Sequence, residues 1–567
     1  MSVVYEKSTS DKYKKYFTPE KALEERLTVC SLNDLKPIER QKVIYNSWDA
    51  GKAGVPLYWD KKNNTIAVDH TDAHTLVVGP TGSKKSRLIA MPLVRTLGST
   101  GESMIISDPK AEIYNRTAEY LKQEGYLVYV LNMRSPMHGH SWNPLAIPYS
   151  FYAKGEIDKA CEFVNDIAQN IVRKEQSHSD PFWPNSAGSF FFGVTLLLFK
   201  YCMDHNLDTS YIHIGNVVNL RNALFKDSGK GINKELWDYA KKDNIISSAL
   251  IGTVETASDT RGGILSTFDQ STRMFSVQPN VLDMLGNNDI DFSSIGERPT
   301  AVFLIVPDEK TGYHGLVSLF IKQSYEYLIY NAQTVAEQDG FHVGSLKNRL
   351  NYILDEFSSL PTISDFPSMI TAARSRNIRF TLIIQSKHQL IQRYQEETNT
   401  IQTNCNNWVF LNSRELTFLH ELSSLCGETT ENNPRPVLSI AHLQRLDKEE
   451  GEALIFFGRL KPCISHLADI TLYDGDHYLQ FPIQERTANQ PPVIQLLGKP
   501  EEAIPLRRNH MLQSDPLFTI QSSLPGNQAG KIDFDRMIKD IDRKIAELDE
   551  KERKQKESKE SAAAQDQ

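Results

Sequence analysis

No two cysteines of this chain stand in a CxxC spacing: Cys30, Cys161, Cys202, Cys405, Cys426 and Cys463 are scattered along it. A disulfide framework and a zinc site are therefore set aside in favour of free thiols in a reducing compartment. An excess of positive charge is missing as well. The formal net charge is −8, so no global positive field marks the chain for nucleic acid or an anionic membrane, although a basic patch or a ring lumen can lie inside an acidic total. The opening "MSVVYEKSTSDKYKKYFTPEKALEERL" lacks the apolar core of a secretory signal. Nor is there a run of ~20 apolar residues, the length that spans a bilayer. The longest, "FFFGVTLLLF" at 190–199, is about half that and reads as buried helix. What remains is the composition of a soluble globular protein, 40% hydrophobic and 24% charged over 567 residues, enough for two or more domains.

Residues 1–54 are polar and read as mostly helical. From 55 to 149 short β-branched runs alternate with helical periodicity. "TLVVGP" (75–80), "SMIISDPK" (103–110) and "GYLVYVLN" (125–132) are strands, and "SRLIAMPLVRTLG" and "AEIYNRTAEYLKQE" are the helices between them. That alternation predicts a mostly parallel sheet in an α/β fold. Residues 150–258 are strand-poor and predict an all-α insertion. Strand signals return over 259–480 in "TAVFLIVPD", "NYILDEF", "RFTLIIQS", "NNWVFLN" and "GEALIFFG". An extended segment, 481–531, leads to a charged helical tail at 532–567, where Ile532, Met537, Ile541, Ile545 and Leu548 lie near helical spacing before a polar end.

The chemistry begins at "GPTGSKKS", Gly79 to Ser86, between a strand and a helix. This is the setting of the phosphate-binding loop G-x-x-x-x-G-K-[ST], whose amides and helix N-terminus surround phosphate oxygens. Gly79, Thr81, Gly82, Ser83, Lys84, Lys85 and Ser86 form the expected cradle for ATP, with Lys85 on the phosphates and the Ser86 hydroxyl on Mg²⁺. Lys84 breaks the pattern, standing where a glycine is expected. About 270 residues downstream, "YILDEF" ends an apolar strand in Asp355 and Glu356. Alone this is a strand with a capping carboxylate. Paired with the loop, it predicts Asp355 as the Mg²⁺ ligand and Glu356 as the group that polarises the attacking water. Gln385, ending the strand "RFTLIIQS", is positioned to sense the γ-phosphate. Arg374, and with less force Arg376, precede that strand as arginines for a neighbouring subunit.

These residues and their order resemble the TraG-like coupling proteins of conjugation and type IV secretion. The runs are "HTLVVGPTGSKKS", "IISDPKAEIY", "SWNPL", "TAVFLIVPDE", "ILDEFSSLPTISDFPSMITAARSRNIRFTLIIQS" and "LCGETT", spread over residues 55–475. "DPK" and "WNPL" are more specific than the loop itself. The resemblance implies a RecA-like domain related to the FtsK and HerA translocases, carrying an all-α domain and assembling as a homo-hexamer. Its implied work is ATP-driven delivery of single-stranded DNA, with its relaxase and relaxosome proteins, to a type IV secretion channel. By position it assigns Lys85 and Ser86 to phosphate and Mg²⁺, Asp355 to the metal, and Glu356, Arg374 and Gln385 to catalysis; Asp108 and Lys110 of "DPK" match a motif near the nucleotide edge of the sheet. Family members usually carry N-terminal transmembrane helices. None is legible here, so the expectation is a cytoplasmic protein that reaches the inner face of the membrane through a separate anchor partner. The competing expectation is a soluble substrate-recruiting or scaffold protein that binds ATP with weak or no hydrolysis, favoured by Lys84 and opposed by the intact acidic pair. Arg261, Arg273 and Lys310 are candidate DNA contacts by charge alone.

Overall fold

The structure is a computed structural model that describes residues 27–31, 53–60, 65–172, 180–226, 231–307, 311–338, 344–428, 435–458, 462–474 and 480–495. The predicted tail helix and Lys310 lie outside the described residues. The strands are β1 (Leu27–Ser31), β2 (Val55–Asp60), β3 (Thr65–Asp69), β4 (Thr75–Val78), β5 (Ser103–Ser107), β6 (Leu127–Asn132), β7 (Phe225–Lys226), β8 (Gly231–Ile232), β9 (Thr300–Ile305), β10 (Leu350–Leu354), β11 (Ile378–Ile384), β12 (Asn407–Phe410), β13 (Glu452–Phe457) and β14 (Cys463–His466).

Nine of them form one sheet in the order β14-β13-β12-β4-β11-β10-β5-β9-β6. From β12 to β6 every pairing is parallel, while β13 and β14 close the other edge antiparallel. The fold is α/β, with a RecA-like mostly parallel sheet. β4, β5, β9, β10 and β11 are buried along their whole length. Continuous apolar runs such as "TLVV" and "IRFTLII" are what two covered faces demand. Alternate side chains feed two cores: Val77 packs with the helices Met91–Gly98 and Glu112–Gln123, and Leu76 and Val78 with the opposite face, which also receives the helix His314–Gln338. Tyr352 of β10 stacks on Phe380 of β11 with centroids 4.8 Å apart.

One expectation is corrected near the N-terminus. The described part of residues 1–54 is not helical: β1, "LTVCS", is a strand that pairs antiparallel with β3. β2 and β3 complete a separate three-stranded antiparallel sheet with it. Its register pairing with β3, rather than any periodicity of its own polar surroundings, sets that structure.

The chain leaves the sheet after β6 and returns at β9, its neighbour at the edge, so the helical insertion hangs from one side of the sheet. Between these strands, among the described residues, only the short ribbon β7–β8 interrupts the helices. At its centre is the helix Phe182–Asp204, 23 residues, twice the length of the apolar run within it. By length and composition it could cross a membrane, yet its apolar window is 72% buried, and it forms the middle of a helical core. The predicted boundary at 258 falls at the start of the helix Ser258–Val277, which packs on this central helix through Phe268 against Phe190 and Phe191. Gly263 lies against Trp183, where a Cβ would approach the ring to 2.3 Å.

Residues 480–495 are extended and bind the insertion as a strap. Gly139 donates to the Gln484 carbonyl and Arg486 to that of Met137. The Arg486 guanidinium bonds Ser141 Oγ, the Pro136 carbonyl and Asp283 Oδ1, while Asp283 Oδ2 accepts from the Asn489 amide. Further along, His213 and Asn216 both bond the Pro492 carbonyl, and Ile494 is buried.

Candidate functional site

β4 delivers the chain to Gly79 at the carboxyl edge of the sheet, the place where open α/β folds bind ligands. The Gly79 amide is tied to the Ile384 carbonyl at the end of β11, 3.1 Å away, and Ser83 closes a turn onto the Pro80 carbonyl. A Cβ on Gly79 would stand 2.5 Å from Ser83 Oγ, so this glycine is required by close approach. Gly82 has φ +81° and Lys84 φ +64°. The lysine thus adopts the left-handed backbone that glycine would take at no steric cost, a strain of about 1–2 kcal/mol for a residue with a Cβ. Leu88 bonds the Lys84 carbonyl, and the chain enters a wide turn, Ser86–Ala90, that continues as the helix Met91–Gly98.

The strand order explains how distant residues meet. β11 lies between β4 and β10, so Gln385, just past β11, sits between the loop and the acidic pair that follows β10. Gln385 donates to Glu356 Oε1 at 3.0 Å, and Thr81 Oγ1 faces Gln385 Oε1 at 3.4 Å. Ser86 Oγ donates to Asp355 Oδ2 at 3.1 Å, and Asp355 Oδ1 accepts from the Glu356 amide at 3.0 Å. Glu356 is itself left-handed, φ +56°, which turns its carboxylate away from the strand axis. The buried Lys85 ammonium donates to the carbonyls of Gly79 (2.7 Å) and Pro80 (3.1 Å). Burial pulls its pKa down, against the opposing pull of Asp355 and Glu356. Burial pushes the Asp355 carboxyl up to about 6; Lys85 works against this and the neighbouring Glu356 adds to it. Among the loop's polar atoms, Ser83 Oγ is buried without a hydrogen-bond partner. The loop borders a cleft of about 1050 Å³ whose other wall includes Asn412, Arg414, Arg445 and Glu449.

The structure therefore brings Gly79, Thr81, Gly82, Ser83, Lys85, Ser86, Asp355, Glu356 and Gln385 together. It sends the Lys84 side chain elsewhere, to Glu449 Oε2 at 2.5 Å. Arg374 lies at the opposite end of β11, where it grips Asp72 through two bonds of 3.0–3.1 Å. Partial burial raises the Asp72 pKa, but bonding to and the charge of Arg374 outweigh it and hold the carboxylate low. The Arg376 guanidinium reaches its neighbour Ser375 Oγ at 3.5 Å, and its carbonyl accepts from the Leu346 amide. Asp108 is buried and accepts from the Tyr114 amide at 2.7 Å, holding the start of the helix Glu112–Gln123; burial raises its pKa to about 7. Lys110 is exposed, close enough for its charge to be felt at Lys85. Arg261 is corrected: it is buried and donates to the Val254 carbonyl at 2.9 Å, a helix-joining role that withdraws it from a DNA surface. Arg273 is exposed. Sequence reasoning missed Glu449 and Asp72, whose importance arises from contacts 365 and 302 residues away and leaves no local signal.

A family model described as type IV secretory system conjugative DNA transfer matches residues 14–435. A conjugal transfer protein TraG of Escherichia coli is 26% identical over 423 residues, covering 70% of this chain and 62% of the relative. A second TraG from the same organism is 23% identical over 378 residues, 63% of this chain and 55% of its own. The chain thus spans less than two thirds of the curated relatives it matches. Among solved structures, the plasmid coupling protein TrwB in complex with the non-hydrolysable GTP analogue GDPNP aligns with TM-score 0.52 at 16% identity, covering 72% of this chain and 88% of that one. TrwB in complex with ADP and Mg²⁺ aligns with TM-score 0.51, also at 16% identity, over 75% and 88%.

Proposed function

This chain belongs to the type IV secretory system conjugative DNA transfer family, and from that membership we propose that it is an ATP-driven coupling protein that moves single-stranded DNA, with its relaxase, into a secretion channel. The observation that carries the nucleotide part is the meeting of the loop Gly79–Ser86, Asp355, Glu356 and Gln385 at the ends of β4, β10 and β11. Their chemistry fits Mg²⁺·ATP: a lysine inside a strained loop, an orphaned serine hydroxyl facing the same loop, and a hydroxyl–carboxylate pair. TrwB binding ADP and Mg²⁺ supports the same ligand here.

In this reading Lys85 exchanges the Gly79 and Pro80 carbonyls for phosphate oxygens. Ser86 and Asp355 hold Mg²⁺, which neutralises phosphate charge when bound. Glu356 accepts the proton of the attacking water, and Gln385 orients the Glu356 carboxylate while touching the loop through Thr81. Arg374, far from its own chain's loop, acts on a neighbouring copy in a homo-hexamer after leaving Asp72. Relaxase, channel components and a membrane-anchoring partner belong to the same proposal, as does a cytoplasmic location at the inner face of the membrane.

ATPase activity measured with and without single-stranded DNA tests the motor. Lys85→Ala is expected to weaken ATP binding about 10- to 100-fold, the worth of charge-assisted hydrogen bonds; titration of a fluorescent ATP analogue reads it, and unchanged affinity removes Lys85 from the site. A pH dependence follows from Asp355. Its carboxyl, raised to about 6, is protonated below that pH and cannot serve a divalent cation. Mg²⁺-dependent binding is expected to weaken up to about tenfold per pH unit below 6, whereas Mg²⁺-independent binding is not. The stability sign is the reverse: because folding raises this pKa, the folded state binds the proton more tightly than the unfolded chain, so Asp355 costs stability progressively as pH rises from 3.8 towards 6.

A further inference from the structure

Lys84 spends its side chain on the opposite wall of the nucleotide cleft. Its ammonium donates to Glu449 Oε2 at 2.5 Å across 365 residues of sequence. The carboxylate is presented by a fixed turn rather than a wandering loop. Asp447 Oδ1 accepts from the amides of Glu449 (2.8 Å) and Glu450 (3.3 Å), and the Asp447 amide donates to Glu452 Oε2 at 2.9 Å, which anchors the turn to the start of β13. Asp447, Lys448 and Glu449 line the same cleft as Pro80–Ser83. The pair is open to exchange, because the Glu449 side chain is 68% exposed and Lys84 22%. Glu449 also has a second cation at hand, Lys448 Nζ at 4.0 Å from its other oxygen.

We propose that Glu449 is the resident counterion of Lys84, displaced when the phosphates of a nucleotide enter the loop, so that the turn Asp447–Glu450 is held or released according to phosphate occupancy. This rests on the nucleotide reading above. The physical argument is competition for one ammonium. A nucleoside triphosphate carries several negative charges against the single charge of Glu449, and it meets Lys84 on a loop already strained into a left-handed backbone. A carboxylate at the lip of an anion site also repels the entering phosphates unless a cation cancels it. Lys448, beside the other carboxylate oxygen, offsets that repulsion whether or not Lys84 is present, so Glu449 lowers affinity by holding Lys84. Lys84 becomes the residue that makes the loop readable from β13, rather than a defect in the loop.

The test is a double-mutant cycle on Mg²⁺·ATP affinity, by calorimetry on the full chain, with wild type, Glu449→Gln, Lys84→Gly and the double variant. Glu449→Gln is expected to tighten binding about three- to fivefold in the wild-type background, the scale of an exposed ion pair, and by less than about 1.5-fold once Lys84 is glycine. Lys84→Met repeats the second background with a side chain of similar length. Amide exchange at Asp447–Glu450 is expected to quicken on nucleotide addition in the wild type and to be indifferent to it in Lys84→Met. Equal tightening in both backgrounds, or none in either, overturns the exchange while leaving the nucleotide site intact. Failure of the wild type to bind nucleotide overturns the site itself, and this inference with it.

Discussion

Glu356→Gln is expected to leave Mg²⁺·ATP affinity within about twofold of wild type while turnover falls by about 10²–10⁴-fold, the range of a positioned general base. The geometry separates the two roles. Asp355 is the carboxylate bonded to Ser86 and buried beside the loop; Glu356 is turned from it by a left-handed backbone and bonded to Gln385. Glutamine keeps the size of the side chain and its contact with Gln385 but cannot take a proton. Steady-state ATPase assays with and without single-stranded DNA, alongside a binding titration, give both numbers. A variant that turns over like wild type would show that Glu356 is not the base and would favour a protein that uses ATP as a structural ligand. Strain at Glu356, of order 1–3 kcal/mol, is also consistent with a side chain placed for chemistry rather than for packing.

The largest expected stability change lies at the other end of the sheet. Arg379 is buried in β11 and paired with the buried Glu102 before β5. It also donates to Asn351 Oδ1 at 2.8 Å and to the carbonyls of Ala53 and Thr71, each at 3.1 Å. One guanidinium thus ties β11 and β10 to the segments flanking the small sheet. Arg379→Met leaves the buried Glu102 only the more distant Arg349, 3.8 Å from its other oxygen, and the expected loss is about 3–5 kcal/mol, a fall in melting temperature of roughly 3–5 °C for a chain of this length read by calorimetry or circular dichroism. The double change Arg379→Met with Glu102→Met is expected to recover most of that loss, because no buried charge is left bare: Arg349, the other cation near Glu102, is partly exposed and keeps its bonds to Asn377 and the His70 carbonyl. A double variant as unstable as the single one would assign the effect to packing or to the carbonyl bonds instead.

Much of this was legible in one dimension, and the reasons differ by element. β4, β5, β9, β10 and β11 coincide with runs such as "TLVV" and "FTLII" because strands covered on both faces need continuous apolar residues, and β6, β12 and β13, buried over part of their length, coincide with similar runs. The loop and the acidic pair were legible because their spacing within each segment is short. The left-handed backbone of Lys84 was implied by the glycine it replaces. By contrast, β1 to β3 lie in polar surroundings where pairing, not pattern, decides the structure. The order β4-β11-β10, which sets Gln385 between loop and acids, is a matter of pairing across hundreds of residues. Glu449 was invisible for the same reason, as one acid among many until β13 brings its turn to the cleft. Arg261 looked like a surface charge because sequence does not reveal that its helix packs inward.

The strap of residues 480–495 also sets an order of events during synthesis. Asp283 is wholly buried in the helical insertion, and the cation that neutralises it, Arg486, is made 203 residues later. A ribosome that has released the insertion still holds back its counterion, so until Arg486 emerges the insertion must either keep Asp283 in water or bury a bare charge. Final closure of this helical unit therefore waits until Arg486 has been made, and a nascent chain cut short before Arg486 carries an insertion that cannot finish packing.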